Sequence, residues 1–391
     1  MKDHYPVFLS VGILLASGLS SLAASCDVAA FVWPAYQPEP RWAELGIFKD
    51  GKGEWQNVYE AEKRFADDYQ GVKPLWGYEN EADPIVVARK IDAATAAGVN
   101  VFIYDWYWYG GRPFLENALN EGFLKAANCE RMKFYIMWAN HDVKGLWNNK
   151  LGGKAKQEVI WPAKVSDDDF KAIVARWIAQ YFKRPNYYKI KGCPVLMIYD
   201  LNGFVKWEGE EKAKERLAYL RAEVKKAGFP GLHLQRPGDA WDDEPDTLGF
   251  DSATSYNWTS MAGERLWQKD KPPLSYAEWG ELALANFDRV KAKYAKTGAI
   301  YFPNLTCGWD TNSRYPADDV QAMVHQSNPQ DFERFARRVK DWAEKNLPAD
   351  VPCLITVNSW NEWTEGSYLE PDDHFGYGYL NALWRVFGRR D

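Results

Sequence analysis

The stretch Cys353-Leu354-Ile355-Thr356-Val357-Asn358-Ser359-Trp360-Asn361-Glu362-Trp363-Thr364-Glu365-Gly366-Ser367-Tyr368-Leu369-Glu370-Pro371-Asp372 starts apolar and β-branched and ends in carboxylates, amides and indoles. Its opening run has the composition of a strand buried on both faces. Such a strand does not tolerate unpaired carboxylates, so Glu362 and Glu365 belong to the loop where it emerges. Two carboxyl groups among aromatic rings at a strand exit suit glycosidic bond cleavage: one hands over a proton, the other takes one or attacks. The spacing by itself fits equally a loop whose glutamates cap a helix or pair with arginines.

Working outward, the same unit recurs. Apolar runs at residues 27–33, 99–105, 132–138, 195–199, 232–235, 251–256 and 299–305 predict seven further strands. Helical periodicity covers residues 84–97, 114–128, 167–182, 210–227, 276–296 and 329–346. Asp83 is the expected N-cap of the first of these and Gly98 its stop. Eight buried strands, most of them followed by a helix, predict a (β/α)8 TIM barrel with long strand-to-helix loops. An open doubly wound sheet is the alternative, but nothing here looks like a Gly-rich phosphate turn opening a helix. With no internal repeat and no linker, residues 26–391 read as one domain.

The barrel makes a test of the chemistry, because its active sites gather at the C-terminal ends of the strands. Those ends carry Trp33 and Tyr36, then Asp105, Trp106 and Trp108, then Trp138, Asn140 and His141. Asp200, Tyr256, Asn257, Asn304, Trp309 and Asp310 follow, and Asn361 and Trp363 flank Glu362. The opposite ends are plain, with Gly98, Gly192 and Gly231. That asymmetry favours a carbohydrate site with Glu362 and Glu365 as the catalytic pair and the other residues as substrate-binding.

The chain has 391 residues and a formal net charge of −6, which argues against nucleic acid or anionic lipid as a partner. Its 20 Trp, 22 Tyr and 19 Phe exceed what a core alone calls for, since each indole N–H wants a partner. A cleft that stacks sugar faces on flat rings accounts for them. Lys2, the apolar run 7–19 and the small residues Ala23, Ala24 and Ser25 read as a bacterial signal peptide spanning 1–25, so the mature protein is expected to be periplasmic, on the cell surface or secreted. Cys26 is a candidate lipid-accepting cysteine, though ordinary cleavage nearby fits the residues better. No other window suggests a membrane span. No cysteine pair has metal-site spacing, and no cofactor or metal is implied. Export permits a disulfide, and Cys129 and Cys193, each just before a predicted strand, are the candidate bridge.

The run Trp360-Asn361-Glu362-Trp363 with Glu365-Gly366 and Tyr368-Leu369-Glu370-Pro371-Asp372 resembles the glycoside hydrolase family 99-like domain, especially its WbsX branch. Trp76-Gly77-Tyr78, Asp83-Pro84, residues 98–102, Asp105-Trp106-Tyr107-Trp108, Trp138-Ala139-Asn140 and Gly308-Trp309-Asp310 agree with it, so the resemblance covers essentially the whole mature chain. It implies a (β/α)8 barrel acting on an oligosaccharide or polysaccharide. In family 99 the two glutamates of the signature are catalytic, in a retaining attack on α-mannosides. Carried over, Glu362 acts as base toward the sugar 2-hydroxyl, giving an anhydro-sugar intermediate, while Glu365 protonates the leaving oxygen and later activates water. The chain departs from the pattern at Thr364, where family 99 proper usually has His. It departs again at Asn140-His141-Asp142, where WbsX relatives often carry Asn-Glu-Asn.

Two other functions compete. A glycosyltransferase of the WbsX type would need a diphosphate site. A non-catalytic carbohydrate-binding barrel would need the aromatic exits but not both glutamates. The acidic run Asp242-Asp243-Glu244-Pro245-Asp246 reads as a solvated turn rather than a cation site. Ser166 before Asp167-Asp168-Asp169 reads as a helix start.

Overall fold

The computed structural model describes residues 26–64, 71–238, 240, 247–268 and 271–388. The expected signal segment 1–25 and the acidic run 242–246 lie outside them.

Among the described residues eight strands make the barrel, and their registers follow the apolar runs. They are β1 (Asp27–Val32), β2 (Val101–Tyr109), β3 (Lys133–Trp138), β4 (Cys193–Ile198), β5 (His233–Pro237), β6 (Ser252–Thr254), β7 in two segments (Ile300–Phe302 and Asn304–Thr306), and β8 (Leu354–Asn358). Each pairs in parallel with the next in sequence, and β8 pairs with β1, Leu354 standing opposite Asp27. The two halves of β7 meet at Pro303, which has no N–H to give to a ladder. The first half pairs with β6 and the second with β8, while Thr356 N donates to Pro303 O at 3.1 Å. The ring therefore closes through the backbone of β7.

Around the barrel run α1 (Pro84–Ala97), α2 (Asp167–Trp177), α3 (Glu210–Lys226), α4 (Tyr276–Ala285), α5 (Phe287–Ala295), α6 (Pro329–Asn346) and α7 (Gly378–Phe387). The expected caps form: Asp83 accepts from Ile85 N, Gly98 stops α1 at φ 98°, and Ser166 accepts from Asp169 N. The expected helix 276–296 is broken at Asn286 into α4 and α5. No regular helix fills 114–128. Arg112–Phe114 folds back on β2 as an antiparallel strand, followed by short π and 3-10 turns. Gly122 explains the irregularity, because a Cβ there would stand 2.0 Å from Glu81 O, so backbone packs on backbone.

Two cysteine expectations are corrected. The disulfide joins Cys26 to Cys353, while Cys129 and Cys193 are free thiols. Cys26 precedes β1 and Cys353 precedes β8, and these neighbouring strands bring residues 327 apart in sequence to a Cα separation of 4.5 Å. A sulfur bonded to Cys353 cannot also carry the lipid thioether for which Cys26 was a candidate. No helix among the described residues is long and apolar enough to cross a membrane.

The indoles also divide differently from expectation. Trp106, Trp138, Trp177, Trp258 and Trp279 are fully buried. Of these, Trp106 and Trp138 leave the barrel toward Trp177 of α2, and Trp258 packs on Trp279 of α4 and Phe335 of α6. Much of the aromatic excess therefore fills the layer between barrel and helices rather than a cleft.

Candidate active site

After β8 the chain forms a tight hairpin in which Asn361 pairs with Tyr368 and Glu362 with Ser367. Its turn, Trp363–Glu365, ends at Gly366 with φ 59°, a left-handed conformation glycine adopts without strain. Ser359 Oγ accepts from Glu362 N at 2.8 Å and donates to Ser367 O at 2.6 Å. Asn361 clamps the hairpin to the exit of β1, accepting from Trp33 N at 2.7 Å and donating to Trp33 O at 2.8 Å. Trp363 turns away, stacked on Tyr368 with centroids 3.7 Å apart, and donates to Glu370. Lys90 of α1, buried, bridges Glu370 at 2.6 Å and Glu81 at 2.5 Å, and Asn361 also donates to Glu81. Burial pushes the Glu81 carboxyl up to about 7.

With the backbone so held, Glu362 and Glu365 open into one cavity of about 200 Å³ at the C-terminal mouth of the barrel. Trp33, Asp105, Tyr107 and His141 line one part of it, and Trp147, Tyr199, Tyr256 and Arg314 another. Two further cavities, of about 280 and 360 Å³, adjoin it, and His141 borders all three.

One guanidinium serves the acids. Arg314, 1% exposed, reaches Glu365 at 2.6 Å through Nη1 and Glu362 at 3.4 Å through Nη2, while its Nε donates to Glu54 at 2.9 Å. Tyr256 Oη donates to Glu362 at 2.8 Å. Burial, and then the Glu365 charge, push Glu362 up to about 8 against the pull of Arg314. Burial raises Glu365 as well, opposed by Arg314. Asp105 stands well above the usual carboxylate range for the same reasons, burial first and the Glu362 and Glu365 charges next. With Arg314 also paired to Glu54, burial and the mutual charge of Glu362 and Glu365 disfavour two carboxylates at once. One acid and one base side by side is the charge state that proton-transfer chemistry needs.

Of the residues expected at the site, Trp33, Asp105, His141, Tyr256, Glu362 and Glu365 line the central cavity. Asp200, Asn257 and Trp309 line the adjoining one. Others do not border these cavities. Along β2, side chains alternate: Asp105 and Tyr107 point inward, so Trp106 and Trp108 point outward, Trp106 donating to Glu116 at 2.8 Å with Trp108 against it. Trp138 packs on Trp177 and Phe204. Tyr36 stacks behind the wall on Trp55. Asn140 bonds both ways with the Asp200 backbone, and Asn304 lies inside the barrel on Thr356 Oγ1 at 3.0 Å. Asp310 braces the hairpin, its N–H donating to Glu365 O at 2.7 Å, and Asn361 and Trp363 hold it as described. The expectations missed Tyr107, Trp147, Tyr199 and Arg314. Alternation from Asp105 would have reached Tyr107, and Tyr199 closes a predicted strand. Trp147 and Arg314 sit in long loops without any periodic signal.

The chain is a parallel (β/α)8 TIM barrel whose C-terminal mouth carries a buried acid pair. The chain belongs to the family described as glycosyltransferase WbsX, which matches residues 28–383. It is 26% identical over 381 residues to the uncharacterized protein WxcX of Xanthomonas campestris pv. campestris, covering 93% of this chain and 50% of the relative. The chain thus spans about half the length of the curated relatives it matches. Among solved structures it is similar to a glycoside hydrolase-like protein (TM-score 0.61, 13% identity, covering 100% of this chain and 98% of that one). It is also similar to the GH99 endo-alpha-mannosidase from Bacteroides thetaiotaomicron (TM-score 0.54, 14% identity, 92% and 96% covered). At such identities the likeness bears on the fold.

Proposed function

We propose that this chain is an exported glycoside hydrolase that cleaves glycosidic bonds in an oligosaccharide or polysaccharide, with Glu362 and Glu365 as its acid–base pair. The observation that carries the reading is the placement of both carboxyl groups on one cavity and on one cation. Trp33 and Trp147 supply flat apolar walls for a sugar ring, and Asp105, Tyr199 and Tyr256 supply hydroxyl partners.

The roles follow the family 99 resemblance. Glu365 gives its proton to the leaving glycosidic oxygen as the bond to the anomeric carbon breaks. Glu362 takes the proton of the sugar 2-hydroxyl, whose oxygen closes on that carbon to give the anhydro sugar. Glu365, now a carboxylate, deprotonates a water that opens the ring at the anomeric carbon, and Glu362 returns the proton to the 2-oxygen. Two inversions at one carbon retain its configuration. In the free site Glu362 lies farther from Arg314 than Glu365 does, which favours the proton on Glu362. The route therefore needs the proton to cross to Glu365 when substrate enters.

The site's charge argues against nucleotide-sugar transfer. Among the described residues lining the central cavity, the one Arg or Lys is Arg314, and three carboxyl groups already occupy it. A nucleoside diphosphate calls for free cations or exposed backbone N–H groups. The disulfide supports export, because such bonds persist in oxidising compartments.

Reducing-end release from a panel of glycans, with Glu365→Gln as control, tests the reading. The wild type is expected to release ends and the variant not. Binding without release would favour a non-catalytic barrel, and turnover only with nucleotide-sugar donors would favour transfer.

A further inference from the structure

Glu54 lies in the long loop after β1, at the start of a short helix (Trp55–Tyr59), and is 0% exposed. Its backbone is fixed by Gly53, which has a φ of 65° and where a Cβ would fall 2.0 Å from Ala35 O, and by its own N–H donating to Ala35 O at 3.0 Å. Its carboxylate accepts from Arg314 Nε at 2.9 Å and Nη2 at 3.4 Å, and from the Trp33 indole. It does not border the cavity, so it acts through Arg314 rather than on substrate. We infer that Glu54 sets the proton affinity of the Glu362–Glu365 pair by occupying the guanidinium that would otherwise neutralise both acids.

The groups facing the pair leave this balance to Glu54. From β2 come Asp105 and Tyr107, from the end of β4 Tyr199, and from the segment after β6 Tyr256, all of which burial pushes toward their neutral forms. Tyr36, beside Trp55, is held neutral in the same way, and Tyr315 follows Arg314 on the loop after β7. Burial also holds His141 toward its neutral form. Lys156, another cation beside Arg314, is buried and spends its ammonium on the carbonyls of Gly145, Asn148, Leu151 and Arg314, with Glu54 and then Asp319 as its nearby negative charges. Arg314 is thus divided among Glu54, Glu365 and Glu362 rather than reserved for the acid pair.

The activity arm of the test rests on the hydrolase reading, so a second readout stands apart from turnover. The protonated-carboxyl infrared band that disappears in Glu362→Gln is titrated in the wild type and in Glu54→Gln and Glu54→Asp. Removing the Glu54 charge lets Arg314 act on the pair alone, so Glu54→Gln is expected to lower the midpoint by about one pH unit or more. The alkaline limb of kcat/KM should fall with it, while Glu54→Asp keeps the wild-type midpoint. An unchanged midpoint in Glu54→Gln, or an equal fall in Glu54→Asp, overturns the inference. Should Glu54→Gln not fold, Arg314→Gln decides: removing the cation must raise the midpoint, and no rise overturns the inference. A wild type that titrates as described but cleaves no glycan would sink the hydrolase reading and leave the role of Glu54 standing.

Discussion

At the scale of single residues, Glu362 and Glu365 carry the argument. Glu362→Gln or Glu365→Gln should lower turnover by about 10²-fold or more without lowering Tm; a large loss of Tm in either would make the residue structural. The sign of the pH effect can be worked out. Glu362 binds its proton more tightly when folded, at about 8, than an unfolded glutamate does at about 4.3. Its contribution to stability is therefore complete below about 4.3 and is lost as pH rises through 8. Glutamine has no such loss, so Tm of Glu362→Gln minus that of wild type should grow between pH 5 and pH 8. A difference flat with pH would mean that Glu362 titrates as an ordinary exposed acid. Lys90→Met should destabilise by about 3–5 kcal/mol in denaturant titration, because it leaves Glu81 and Glu370 buried without their cation. The acid pair was legible because two carboxylates following an apolar strand mark its emergence from the core, where an unpaired charge is costly. Arg314 and Glu54 were not, because loop residues 260 apart in sequence meet only after folding.

At the scale of elements, period and packing decide what each side chain does. Asp105 and Trp106 are neighbours in sequence, yet one enters the cavity and the other the helix layer, since successive side chains on a strand face opposite ways. The helices follow the same economy of space. Gly280 of α4 sits against Phe335 of α6, where a Cβ would fall 2.3 Å from the ring. Gly280→Ala should therefore lose about 1–3 kcal/mol of stability from overpacking, and an unchanged denaturation midpoint would contradict that contact. Helix starts marked by Asp83 and Ser166 could be read from the chain because capping is local. The turns between 114 and 128 could not, because Glu81 from another loop shapes them.

At the scale of the whole molecule, the seam between first and last strand is covalently tied. Cys353→Ser should lower stability by about 2–5 kcal/mol, and non-reducing peptide mapping should recover Cys26 joined to Cys353 with Cys129, Cys193 and Cys307 free. A Cys129–Cys193 cross-link in that map would contradict this pairing. The eight apolar runs and their polar exits determined the barrel and the end at which the acid pair sits, because burial of alternating segments is a property of local composition. Tertiary structure alone decided which exit residues face the cavity, which cysteines bond, and which cation the acids share. Those outcomes depend on strand facing and on loops meeting across the mouth, and neither leaves a period in the chain.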